Sequence, residues 1–395
     1  MSDHLMNTYN RQPITFTKGE GVWLWDTKGE KYLDALAGVA VNGLGHAHPA
    51  LVKAISEQAA KLIHTSNIYH IAEQAALADK LCELSGMDKV FFCNSGCEAN
   101  EASIKLARLY GHQKGIESPE IIVMDKSFHG RTMATLSATG NRKVQAGFEP
   151  LVGGFVRVPY DDVEAVRQVA SRKNNVVAIL VEPVQGEGGI NIPKDASGYL
   201  EALREICDAN GWLLMLDEVQ TGIGRTGTWF AFQHTKIKPD VMSLAKGLGS
   251  GVPIGACVAS GAAADVFTYG KHGSTFGGNP LATAAGIATL NAIEQEQLRD
   301  NAAKMGQLIS DGLIKALTGT KGFVTVRHAG LMIGVELDKP CGELVNMARE
   351  AKLLINVTAD KVVRLLPPLV INEAESTELV QRLSALIKTF LNQSA

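Results

Sequence analysis

The sequence predicts an α/β fold, with a mostly parallel central sheet in a large domain and a smaller α+β domain after it. Three observations lead there. Apolar runs rich in β-branched and aliphatic residues recur at 89–93, 121–124, 176–181, 212–216, 241–244 and 254–258, without the alternation of a half-exposed strand. Continuous runs of this kind suit parallel strands covered on both faces. Between several of them apolar residues return at spacings of three and four, as in Ala99, Ala102, Leu106 and Leu109, or Tyr199, Leu200, Leu203 and Ile206. Strand and helix patterns in alternation build crossover units, and 395 residues exceed the usual size of one compact domain.

Taken in order, the first forty residues hold a strand-like pair at 21–26 and 30–36, joined by the turn Thr27-Lys28-Gly29. Residues 1–50 are expected to associate with the small domain, 51–295 to form the large domain, and 296–395 to form the small C-terminal one. The boundary is placed where Pro280, a good first helical residue, opens a long helix over 281–298 that a charged helical pattern follows from Arg299. Glycine, 40 residues in all, gathers at 43–45, 186–189, 222–227, 247–251 and 277–278, which marks turns tight enough for backbone to approach a ligand.

Composition narrows the function. Lys plus Arg number 38 against 41 Asp plus Glu, a formal charge of -3 without the basic excess of a nucleic-acid binder. No apolar run approaches membrane-spanning length, and the polar stretch 1–11 lacks the apolar core of a secretion signal. Six cysteines without a C-x-x-C pair read as reduced thiols in the cytoplasm.

Four segments carry candidate chemistry. In residues 242–249 a single lysine, Lys246, follows an apolar strand and precedes glycines, so it points into a strand-end crevice. A desolvated amine there loses its proton more easily and attacks carbonyls, although the same letters also fit an ordinary loop lysine. Upstream, another apolar strand closes in Asp217, about one strand–crossover–strand unit before Lys246. A buried carboxylate needs a cationic partner, and a protonated pyridine nitrogen is one; capping a loop or binding a metal are the alternatives. Residues 94–101 run from a strand end through Gly96 into a helix, where free N–H groups from Ser95 to Cys97 would cradle a phosphate; a plain N-cap explains the same residues. In residues 127–132, Phe128 offers a ring to stack on a flat heterocycle, with Val219 for the opposite face, and Arg131 a fork for a carboxylate.

The acid- and glycine-rich stretch 181–189 and the hydroxyls of 273–280 offer further contacts to phosphate or substrate, or only a turn and a cap. His46 and His48, without nearby acids or thiols, read as a turn before a helix rather than a metal site. Residues 222–227 satisfy the G-x-G-x-x-G pattern of a nicotinamide dehydrogenase, yet five residues separate them from the strand and no helical stripe follows. A non-catalytic module that only binds pyridoxal phosphate has nothing positive in its favour.

Together these residues resemble the class III pyridoxal-phosphate aminotransferases of fold type I, and within them the acetylornithine aminotransferases. The likeness runs from Gly19-Glu20-Gly21 and residues 43–49 to residues 364–369. It implies that Lys246 carries the cofactor as a Schiff base, that Asp217 pairs with the ring nitrogen, that Gln220 contacts the ring hydroxyl, and that Phe128 and Val219 sandwich the ring. Gly96 and Cys97 look like phosphate contacts, joined by Thr275 from the partner subunit of a homodimer with shared active sites. Cys97 stands where the family often has a hydroxyl residue, which leaves the backbone contact. Arg131 and Ser274 resemble substrate contacts. Arg364 looks like the arginine that grips a glutamate carboxylate, and Glu187 like the acid that masks it for the amino donor. The implied reaction passes the terminal amine of acetylornithine to 2-oxoglutarate, a step in arginine biosynthesis. Succinylornithine, free ornithine and 4-aminobutyrate are alternative donors.

Overall fold

The computed structural model describes residues 4–393; residues 1–3 and 394–395, the outermost ends of the first and last predicted segments, lie outside the described residues. At the centre is a seven-stranded sheet. From one edge its order is Lys89–Cys93, Gly255–Ala259, Val241–Leu244, Leu213–Asp217, Val176–Val181, Glu120–Met124 and Phe155–Val158. All six runs read from the sequence are strands. The five from Val241–Leu244 to Phe155–Val158 pair in parallel. The expectation of parallel pairing fails at Gly255–Ala259, which is antiparallel to both its neighbours. Its run is as apolar as the rest because it too is covered on both faces, so composition does not reveal its direction. Strand Phe155–Val158 escaped the sequence reading because, at the sheet edge, it is short and only partly buried.

The pairing brings chemistry to one place. Parallel strands all end on the same side, and Lys89–Cys93, antiparallel to an antiparallel strand, ends there too. Residues 94–97, 127–131, 182–187, 217–220 and 245–246 therefore meet along a single carboxyl edge, the usual position of ligands in open α/β sheets. Helix Gly96–Gln113 starts at that edge, with Ser95 as N-cap accepting the Glu98 N–H at 3.2 Å, and buries Ala99, Ala102 and Ala107. Small residues on that face let the helix lie close to the strands, and Ser103 Oγ meets Ser243 Oγ at 2.8 Å.

Two smaller sheets lie beside the large one. The antiparallel sheet of Phe323–Ala329, Met332–Leu337, Val362–Leu365 and Asn356–Thr358 packs on helix Leu298–Leu317, which in turn packs on helix Glu373–Asn392. The other is an antiparallel run of three N-terminal strands, Phe16–Glu20, Trp23–Asp26 and Lys31–Asp34, the last of which pairs in parallel with Leu353–Leu354. The turn predicted at 27–29 is there, held by Asp26 Oδ1 accepting the Lys28 and Glu30 N–H groups. The long helix predicted over 281–298 ends at Gln295, and Gln297 turns left-handed at φ 53 before the next helix begins.

His46 and His48 precede helix Pro49–Lys61 as expected: His46 Nε2 pairs with Asp34 at 2.8 Å and His48 with Glu296 at 3.1 Å. No cluster of metal-ligating side chains occurs among the described residues. The glycine run 222–227 forms turns and leads only to a short 3-10 helix, Ala231–His234, so the helix a dinucleotide fingerprint must open is absent there. Instead Arg225 is buried against the ends of the neighbouring sheet and donates to the Leu331 and Pro367 carbonyls, just outside its strands, at 3.1 and 2.5 Å.

Where the turn between strands Phe323–Ala329 and Met332–Leu337 meets helix Leu298–Leu317 there is no room. A Cβ at Gly306 would lie 2.0 Å from the Gly330 carbonyl oxygen, whereas one at Gly153 would meet nothing within 4 Å. Gly306→Ala is therefore expected to lower the melting temperature by the equivalent of about 1–3 kcal/mol. Gly153→Ala should leave it unchanged, and calorimetry of the two variants side by side checks the difference.

Candidate active site

Lys246 sits immediately past strand Val241–Leu244 with φ at 43°, a left-handed conformation that costs a non-glycine residue of order 1–3 kcal/mol. The kink turns the side chain back over the strand ends, into a cavity of about 390 Å³ whose wall includes Ser95, Gly96, Cys97, Phe128, Arg131, Asp217, Val219 and Gln220. Protein encloses the amine. Loss of solvation, and then the nearby Arg364 charge, hold it down to about 8, against the opposing pull of Glu187, Asp217 and Glu182. At pH 7 about one such amine in ten is neutral, against roughly one in three thousand for an exposed lysine.

Asp217 closes strand Leu213–Asp217 at 4% exposure, and its carboxylate is held from three sides. Oδ2 accepts from Asn100 Nδ2 at 2.7 Å and lies 2.8 Å from His129 Nδ1; Oδ1 accepts the Val219 N–H at 3.1 Å. Asp217 lines the cavity, and Oδ1, with a single N–H partner, keeps an acceptor position suited to a protonated ring nitrogen. Asn100 and His129 were not singled out from the sequence. The signal was available: Asn100 lies one helical turn past Gly96 on the face that buries Ala99 and Ser103, and His129 directly follows Phe128.

The cradle at the start of helix Gly96–Gln113 fits a phosphate by its backbone. Ser95 takes the N–H groups of Glu98 and Ala99 with its hydroxyl and carbonyl, and the N–H groups of Gly96 and Cys97 at the first two positions lie beyond the reach of intrahelical acceptors. Gly96 is required here, since a Cβ would lie 2.6 Å from Val219 Cγ1. The Cys97 thiol turns away to the 131–135 turn, where it accepts the Arg131 and Thr132 N–H groups at 3.3 and 3.4 Å.

Glu182 is a second buried carboxylate in this wall, at 4% exposure. Burial and the adjacent Asp217 push it well above the usual carboxylate range. It accepts the Phe128 N–H at 2.9 Å and the Gly186 N–H at 3.1 Å, so it ties the segment bearing Phe128 to the loop bearing Glu187. The sequence marked this stretch only as a strand ending in acids and glycines.

A wider vestibule of about 920 Å³ opens beside the first cavity and shares Phe128 and Arg131 with it. Arg131 is exposed there, its guanidinium 5.7 Å from the Phe128 ring centre, and Glu187 stands in the opposite wall. Behind Glu187, Arg364 is 1% exposed; its Nη1 donates to Glu187 Oε1 at 2.6 Å and reaches Gln220 Oε1 at 3.4 Å. Ser274 and Thr275 do not line the first cavity of their own chain. They lie in a separate depression of about 300 Å³ with Phe276 and His272, linked to the site through Asn94 Nδ2, 3.3 Å from Ser274 Oγ.

An enclosed amine, a carboxylate facing it, an aromatic wall and a phosphate-shaped cradle match the donor set that pyridoxal phosphate requires. Similarity to known proteins agrees. The family described as Aminotransferase class-III matches residues 5–387. The acetylornithine aminotransferase of Nitrosomonas europaea is 62% identical over 388 residues, covering 98% of both chains. Among solved structures, the ornithine aminotransferase of Toxoplasma gondii superposes with a TM-score of 0.95 at 34% identity, over 99% of this chain and 94% of that one. The acetylornithine aminotransferase of Elizabethkingia anophelis does so with a TM-score of 0.86 at 36% identity, over 97% and 96%. The chain belongs to the class III aminotransferases.

Proposed function

We propose that this enzyme moves the terminal amino group of N2-acetyl-L-ornithine to 2-oxoglutarate, giving N-acetyl-L-glutamate 5-semialdehyde and L-glutamate in two alternating half-reactions. The observation that carries the reading is the Lys246 amine enclosed opposite Asp217, in a chain that matches an acetylornithine aminotransferase along nearly its whole length. The cofactor is pyridoxal 5'-phosphate. When bound it supplies an aldehyde that combines with amines and a ring that draws electron density from the carbon beside the nitrogen.

The chain's own residues do the rest. Lys246 Nζ anchors the cofactor, gives way to the substrate amine, and then carries the proton from the substrate carbon bearing that amine. Asp217, oriented by Asn100 and His129, keeps the ring nitrogen protonated. Phe128 and Val219 would hold the cofactor ring between them, Gln220 would contact its hydroxyl, and Ser95, Gly96 and Cys97 would receive the phosphate at the helix start. Arg131 would contact the substrate from the vestibule, and Ser274, from the depression it shares with Thr275, would be a second substrate contact. While Glu187 covers Arg364, the acylated donor enters terminal amine first; when 2-oxoglutarate arrives, Glu187 withdraws and Arg364 takes a carboxylate.

A homodimer completes this reading. Thr275 lies outside its own chain's cavity, in a depression edged by exposed Phe276, where it is available to a second copy's phosphate. The division into residues 1–50, 51–295 and 296–395 is supported by strand membership: all seven strands of the large sheet fall within 51–295, and the first segment's strands join Leu353–Leu354 of the last. A cytoplasmic setting is supported by six unpaired cysteines, four of them buried.

Four outcomes test the reading. Lys246→Ala should cut turnover by roughly a thousandfold or more with an unchanged circular dichroism spectrum; near-normal activity would exclude the role. Because the Lys246 amine is held down to about 8, uptake of pyridoxal phosphate by apoprotein, followed by stopped-flow absorbance, should quicken between about pH 7 and 9 and level off above. Glu187→Ala, which unmasks Arg364, should lower kcat/KM for acetylornithine by roughly tenfold and spare that for 2-oxoglutarate. A panel of acetylornithine, succinylornithine, ornithine and 4-aminobutyrate compared by kcat/KM decides the donor, with acetylornithine expected to lead.

A further inference from the structure

Arg364 is held from the side as well as from the front. Its Nε donates to Asn356 Oδ1 at 2.9 Å while Nη1 faces Glu187. Asn356 stands directly across from Arg364 in the antiparallel pairing of Asn356–Thr358 with Val362–Leu365, so strand register sets the contact. Two residues along the same short strand, the Thr358 hydroxyl donates to the Glu187 carbonyl. One strand thus grips both members of the pair, the arginine by its guanidinium and the glutamate by its main chain. Exposure separates them: the Arg364 side chain is 1% exposed and that of Glu187 36%. What remains free to move is the Glu187 side chain.

We propose that Asn356 is a positioning residue for the 2-oxoglutarate half-reaction, keeping the Arg364 guanidinium aimed at the substrate carboxylate once the Glu187 side chain has swung away. This rests on Arg364 as the carboxylate grip. With Glu187 gone, the fork loses one of its two close acceptors, and the Nε bond, beside only the longer 3.4 Å contact of Nη1 with Gln220, sets its plane. A bidentate contact depends on that plane, so a guanidinium free to rotate meets a carboxylate poorly. The donor half-reaction proceeds with Glu187 in place and makes no such demand.

The test compares Asn356→Ala with Arg364→Ala in each half-reaction, together with calorimetric binding of glutarate, a dicarboxylate that cannot accept an amine. Asn356→Ala is expected to lower kcat/KM for 2-oxoglutarate by roughly tenfold or more and to weaken glutarate binding in proportion. Its kcat/KM for acetylornithine should stay within about twofold, which also shows that the variant is folded. Equal losses with both substrates would make Asn356 merely structural and overturn the proposal. So would a normal 2-oxoglutarate half-reaction in Asn356→Ala while Arg364→Ala is impaired. If Arg364→Ala itself handles 2-oxoglutarate normally, the carboxylate assignment fails and the proposal falls with it.

Discussion

The chemistry of this chain turns on an unfavourable placement, an amine withdrawn from water at the carboxyl edge of a parallel sheet. Lys246 loses solvation, its backbone adopts a left-handed conformation, and Arg364 stands near enough to disfavour its charge. Each of these destabilises the protonated form or the local fold, and together they leave a far larger fraction of free amine than an exposed lysine has at neutral pH. The rest of the large sheet makes the placement tolerable. Asp217 and Glu182, at the ends of neighbouring parallel strands, line the same wall, and the pull of Asp217 favours the charged amine against that loss.

Those carboxylates are themselves held. Asp217 draws on a helix residue, a histidine and a backbone N–H; Glu182 draws on two backbone N–H groups from separate loops. Leaving a buried polar group without its partner costs about 1–3 kcal/mol, so these contacts hold the wall in place where the cofactor lies. The Glu187–Arg364 pair differs in one respect. Its arginine is enclosed and its acid is partly exposed at the vestibule, so one member is stationary and the other is free to move. Rigid inner cavity and adjustable outer wall share Phe128 and Arg131, which lets one amine serve two substrates of different shape.

Much of this was legible in the sequence, for physical reasons that can be named. Strands covered on both faces leave unbroken apolar runs, and all six runs proved to be strands. Parallel strands must end together, so acids, glycines and a lysine following such runs already pointed to one edge. Direction was not legible at Gly255–Ala259, because burial on both faces erases the difference between parallel and antiparallel pairing. Nor was the edge strand Phe155–Val158, too short and too exposed to leave a run.

Residues that act through another residue were harder to see. Asn100 and His129 support Asp217 from a helix and a loop far away in sequence, and Asn356 supports Arg364 only through cross-strand register. Nothing in spacing reveals such contacts, since they depend on which elements the fold sets side by side. The central claim is the covalent anchoring of the cofactor at Lys246, and reduction of the cofactor-saturated enzyme with borohydride followed by peptide mapping tests it most directly. A pyridoxyl group on Lys246, close to one per chain, is the expected result. An unmodified Lys246, or a label on another lysine, would contradict the account.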